Sequence, residues 1–181
     1  MSAQFIESHR EGAETYKGAE ICKQKSKELL LEINLPTGLL PLKDIEEVGY
    51  NRSTGFVWLT QKKPTQHRFT KIGRLVSYDT HVTAFVENRR MKKLHGVKSK
   101  ELLIWITLNE IYIGDTSPDK ITFGTPTGIS RSFPVSAFEE EEEEKNSVWT
   151  LPFKLPNSLV GTLGGQGEIF KAKDSHGLLW G

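Results

Sequence analysis

From Ile45 to Phe133 the chain breaks into short runs rich in β-branched and aromatic residues, parted by turn signals such as Asn51-Arg52-Ser53-Thr54-Gly55 and Glu87-Asn88-Arg89. This pattern constrains the fold more than any other feature. Such residues fit a pleated, half-buried surface, and the spacing leaves no room for helices between the runs. Strands are expected near Asp44 to Tyr50, Gly55 to Gln61, His67 to Phe69, Arg74 to Tyr78 and Thr80 to Glu87, then near Arg90 to His95, Leu102 to Ile113, Lys120 to Phe123 and Ile129 to Phe133. Ser117-Pro118-Asp119 breaks the chain after the longest run. A meander of about eight to nine short antiparallel strands predicts a mostly β fold, a β-barrel or sandwich.

Ahead of the strands, Glu7 to Ile33 lacks proline, holds only Gly12 and Gly18 as breakers, and spaces Cys22, Ser26, Leu29 and Ile33 by helical intervals. An N-terminal α-helix is expected, with a polar first half that frays and a docking face of Leu29, Leu30 and Ile33. Asn34 and Pro36 follow in the order of a helix stop. Behind the strands stands an unbroken acidic run, Glu139 to Glu144. Like charges repel and stay solvated, so the folded part is expected to end near Phe138. The domain reading is therefore 1–34 for the helix packing on the β domain, 35–138 for the all-β domain, and 139–181 for a disordered acidic tail.

In Phe56-Val57-Trp58-Leu59, alternation sends Phe56 and Trp58 to one face and Val57 and Leu59 to the other, so both faces are apolar. Leu102-Leu103-Ile104-Trp105-Ile106 reads the same way. A strand apolar on both sides is covered on both sides, by protein alone or by protein and a bound apolar ligand. Phe56, Trp58 and Trp105 are accordingly the candidate ligand-binding residues.

The 24 basic and 23 acidic side chains nearly cancel, yet they are zoned. Residues 61–100 hold eleven basic and two acidic groups, and residues 101–181 hold six basic and twelve acidic ones. Arg89, Arg90, Lys92 and Lys93 form a basic hairpin that is expected to meet an anionic head group or membrane surface. The competing reading is a solvated strand edge, where lysines block edge pairing. Nucleic acid is not expected, since aromatics do not interleave with the basic groups as stacking platforms would.

Cys22 stands alone, which rules out an intrachain disulfide or a cysteine metal cage and suits a reducing compartment. Met1 to Glu11 turns polar too early for a secretory signal, so the expected location is cytoplasmic, peripheral to membranes at most, and not secreted. The uncharged stretch Leu102 to Asn109 is too short to span a bilayer, and the one from Leu155 to Gly167 is broken by Pro156 and four glycines. The five histidines are dispersed without ligand spacing, so no metal or other cofactor is expected. Gly128-Ile129-Ser130-Arg131-Ser132 lacks the second glycine of a nucleophile elbow, and adjacent Glu46 and Glu47 point to opposite faces of a strand. No catalytic residue is assigned, and nothing in the residues demands an enzyme.

Leu35-Pro36-Thr37-Gly38-Leu39-Leu40-Pro41, continuing through Val48-Gly49-Tyr50 and Gly55-Phe56-Val57-Trp58-Leu59, resembles the opening signature of the plant family of domain of unknown function 538, DUF538. Lys98-Ser99-Lys100-Glu101-Leu102-Leu103-Ile104-Trp105-Ile106 and Phe133-Pro134-Val135-Ser136-Ala137-Phe138 agree with its later blocks. The resemblance runs from about Glu14 to Phe138 and implies a plant protein with a β-barrel or sandwich behind a helix. Members are linked to stress responses and to trichome and cell growth. They have been likened to lipid-binding bactericidal permeability-increasing proteins, and chlorophyll binding or hydrolysis has been proposed for them. The resemblance carries no agreed catalytic residues. Together the readings lead to a non-catalytic module that binds an amphipathic small molecule, lipid-like or chlorophyll-like. A chlorophyll-type ester hydrolase and a peripheral membrane or regulatory protein acting through the basic hairpin are the alternatives, with protein partners left open.

Overall fold

Ten antiparallel strands join in one sheet whose two longest members, β5 (Arg74–Glu87) and β6 (Arg90–Glu101), form a hairpin spine. The computed structural model describes residues 3–140. On the β5 side, β4 (Thr65–Phe69) pairs with its first half and β3 (Phe56–Gln61) with its second, and β3 leads outward to β2 (Ile45–Asn51) and β1 (Glu14–Lys17). On the β6 side, β7 (Ile104–Thr107) pairs with the distal half. There β8 (Glu110–Ile113) takes the proximal end and leads to β9 (Lys120–Gly124) and β10 (Ser130–Pro134). The mostly β, antiparallel expectation holds, but the sheet does not close: β1 and β10 are its two ends. The predicted strands Arg74 to Tyr78 and Thr80 to Glu87 are one strand, kept continuous through register shifts against β6. The predicted strand Leu102 to Ile113 is instead a turn and two short strands.

The N-terminal region departs from the expected single helix. Only Ala19–Glu32 forms the long helix α2, while Ala3–Glu7 is a separate short helix α1 and Glu14–Lys17 is β1. Gly12 (φ 72°) and Gly18 (φ 103°) adopt left-handed backbone that ends helical geometry on either side of β1. Between them Thr15 and Tyr16 pair with Gly49 and Val48, so tertiary pairing overrides local propensity. The helix stop is where the residues place it. Asn34 (φ 56°) takes the left-handed position, its N–H donates to the Leu31 carbonyl, and the Leu35 N–H donates to the Leu30 carbonyl, the paired bonds of a Schellman ending with Leu30 and Leu35 buried.

Alternation along β3 divides the core as its sequence implies. Val57 and Leu59 join the main cluster with Leu29, Leu30 and Ile33 of the α2 region, whereas Phe56 and Trp58 lie on the other face beneath Ile6 and Phe5. Both faces of β3 are thus covered by protein. Among the described residues no helix is long and apolar enough to cross a membrane. The described residues fall in the compact unit Met1–Glu143, and the tail assigned to 139–181 lies outside them from residue 141 onward.

Candidate functional site

An apolar pocket opens on the face of the sheet that carries the main core. Its wall is built by strand alternation: Val76 and Tyr78 of β5, Val97 of β6, Ile106 of β7, Ile111 of β8 and Phe123 of β9. Leu39, in the 3-10 turn after α2, joins Phe69 and Phe138 to close the opposite side. The cavity volume is about 60 Å3. The pocket is therefore a narrow slot with room for more than one water-sized group, not a wide chamber.

Charge is confined to the rim. Arg74 Nη1 contacts Glu101 Oε2 at 2.7 Å, and Arg131 Nε stands 3.7 Å from Glu101 Oε1 with its side chain 61% exposed. Two guanidinium groups share one carboxylate, which leaves the mouth net positive and Arg131 loosely held. Inside, the Tyr78 hydroxyl donates to the Leu39 carbonyl at 3.0 Å, and burial raises its phenol above the ordinary value. Ser99 and Ser130 also line the pocket, but among the described residues no histidine does. The arrangement can hold an apolar body and attract an anionic end.

The residues singled out in the sequence are not brought together here. Phe56 and Trp58 are fully buried in the smaller cluster with Ile6, and Phe56 packs edge-on to Phe5 at 5.3 Å. Trp58 Nε1 donates to Glu47 Oε1 at 2.8 Å, and Arg10 Nη2 donates to the same oxygen at 2.7 Å. Burial opposes ionisation of Glu47, but the hydrogen bonds from Arg10 and Trp58 and the nearby charges of Arg10 and Lys17 outweigh it, holding the carboxyl below its usual range. Trp105 lies on β7, separated from β3 by both spine strands, and pairs with Lys100 on β6.

The expected double covering of Leu102 to Ile106 is corrected. Glu101 pairs with Ile104, so Leu102 and Leu103 are the two turn residues of a β6–β7 hairpin, 94% and 91% exposed. The uncharged run lacks the Gly, Asn or Asp that usually marks such a turn, which is why alternation alone misreads it. The basic hairpin does form, with Asn88 and Arg89 at its turn, but its charges are engaged. Arg89 donates to Asp115 at 3.1 Å, Arg90 meets Glu110 at 2.7 Å, Lys92 meets Glu87 at 2.7 Å, and Lys93 sits over the Phe85 ring at 5.3 Å. The Arg89 N–H also docks on the Ile33 carbonyl at the end of α2. The pocket itself was missed because its lining comes from seven strands, β4 to β10, and only their register shows which alternating residues share a face.

These features define the chain as a mostly β protein with an open antiparallel sheet and an apolar pocket under it. Residues 26–139 match the family described as protein of unknown function, DUF538, and the chain belongs to that family. No curated protein and no solved structure matches the chain. Every pocket-lining residue falls inside the matched range, whereas β1 and α1, whose Phe5 and Ile6 cover Phe56 and Trp58, fall before it.

Proposed function

We infer that the protein is a non-catalytic binding module whose pocket holds the hydrocarbon part of an amphipathic small molecule, with an anionic head group at the rim. The observation that carries this reading is the combination of an almost wholly apolar slot with a two-arginine, one-glutamate mouth. Apolar lining supplies the driving force and is indifferent to chain detail, while the rim charge selects the polar end. The narrowness of the slot favours an extended alkyl chain over a flat macrocycle, so a lipid-like ligand is preferred to a tetrapyrrole. Esterase chemistry finds no support in the lining, where the two serines have no imidazole partner.

Calorimetric titration with palmitate and with hexadecanol tests the reading. Both ligands bind the wild type, palmitate more tightly. Arg131→Gln removes that preference and leaves hexadecanol unchanged. Absence of binding by either compound, or binding undisturbed by Ser99→Phe at the pocket wall, contradicts it.

A further inference from the structure

The β6–β7 turn is the most exposed apolar element among the described residues. Leu102 and Leu103 are 94% and 91% exposed, Ile104 63% and Trp105 39%. Leu102 also holds φ 53°, a left-handed conformation that glycine adopts freely and leucine does not. The turn thus keeps a strained leucine, in water, at a place where folding favours glycine. Neither feature serves the core.

We propose that this hairpin tip inserts into the surface of an anionic lipid bilayer, an activity that goes beyond the pocket reading and does not depend on it. The order of side chains back from the tip follows the order of layers in a membrane. The two leucines come first. Trp105 lies two residues behind Leu103 with Lys100 paired across from it, and Lys98 lies four residues behind Leu102. At about 3.3 Å per residue, Lys100 and Trp105 stand roughly 7 Å and Lys98 roughly 13 Å behind the tip. Those depths put leucine in the acyl region, tryptophan at the interface and the ammonium groups among the phosphates. Lys98 and Lys100 have no carboxylate partner among the described residues, unlike Arg89, Arg90 and Lys92, so no acidic side chain there competes with anionic head groups for them. Lys100 Nζ lies 5.8 Å from the Trp105 ring centre, which holds cation and aromatic on one face. A protein partner fits less well, because a point of two leucines, Ile104 and a half-exposed Trp105 is narrower than the roughly 800 Å2 per side that a stable interface needs. Ile129, 65% exposed, lines the pocket whose rim includes Glu101 of the same hairpin, so an inserted tip sets the pocket mouth against the lipid.

The test is sedimentation of the full chain with phosphatidylcholine vesicles, with and without phosphatidylserine. The protein is expected to sediment with the phosphatidylserine vesicles, and less so as salt rises. Leu102→Asp with Leu103→Asp lowers that binding by about tenfold or more, because both side chains lose their burial in lipid. Its thermal midpoint stays at the wild-type value, since the positions are solvent-exposed. Brominated acyl chains quench wild-type fluorescence, and Trp105→Phe abolishes the quenching. Wild-type binding by the double aspartate variant, no sedimentation with either vesicle, or a tip that drives self-association of the chain in place of lipid binding would each overturn the proposal. Ser99→Phe separates the two readings: it blocks palmitate without changing vesicle binding, so either can fail alone.

Discussion

At the residue scale, Gly49 and Glu47 show how little freedom the second core has. A Cβ at Gly49 would fall within the Trp58 indole, so only glycine lets the ring lie across β2. Gly49→Ala is expected to destabilise the fold by about 1–3 kcal/mol, the range of an overpacked core, read as a lowered denaturation midpoint at constant slope. Gly38 differs from the usual turn glycine. Its φ is not positive, and a side chain there would strike the Phe138 carbonyl, so its constraint is close approach to the backbone at Phe138. Glu47 links Arg10 to Trp58, and its carboxyl titrates below its ordinary value. The stabilisation it contributes is complete above the unfolded carboxylate value, about 4.3, and is lost as pH falls through the lower folded value. Acid titration of stability should therefore show a step below pH of about 4 that Glu47→Gln removes. Glu47→Gln should also cost about 1–3 kcal/mol at neutral pH, because Arg10 then keeps only the exposed Glu7 as a charged partner. Cys22 is fully buried, its thiol donates to the Tyr16 carbonyl at 3.2 Å, and burial raises its pKa, so it stays protonated and unreactive in the native protein.

At the element scale, α1 acts as a cover. Ile6 is buried against Phe56 and Trp58, and Phe5 and His9 stack around Phe56. Ile6→Asp should free the α1 segment without melting the sheet, increasing tryptophan exposure to a soluble quencher while the circular dichroism of the strands persists. Unchanged quenching would show that α1 does not shield Trp58. The elements also show where sequence reading succeeds. The end of α2 was legible because Asn34 and Pro36 are local signals and local hydrogen bonds obey them. The faces of β3 were legible because alternation is a property of any strand. The first half of the expected helix was not, since Glu14–Lys17 becomes a strand only by pairing with β2, a partner some thirty residues away. The Leu102-Leu103 turn was illegible for the opposite reason: its residues carry no turn signal, and the hairpin is imposed by the Lys98 to Thr107 pairing that follows.

On the scale of the whole molecule, the two long strands let one sheet bear two different covers. Alpha-helical and 3-10 segments close the pocket side, and α1 closes the other, so the pocket and the tryptophan core occupy separate faces. This separation explains why the residues chosen for their aromatic character, Phe56 and Trp58, belong to stability and the pocket to Leu39, Ile106 and Phe123. The most direct test of that division is photolabelling of the full chain with a palmitate bearing a diazirine near the chain end, followed by peptide mapping. The account predicts cross-links on the pocket wall, in peptides carrying Leu39, Val97, Ile106 or Phe123, competed away by unlabelled palmitate and lost in Ser99→Phe. Labels confined to the Phe56 and Trp58 peptide, or spread over the surface without competition, would contradict it.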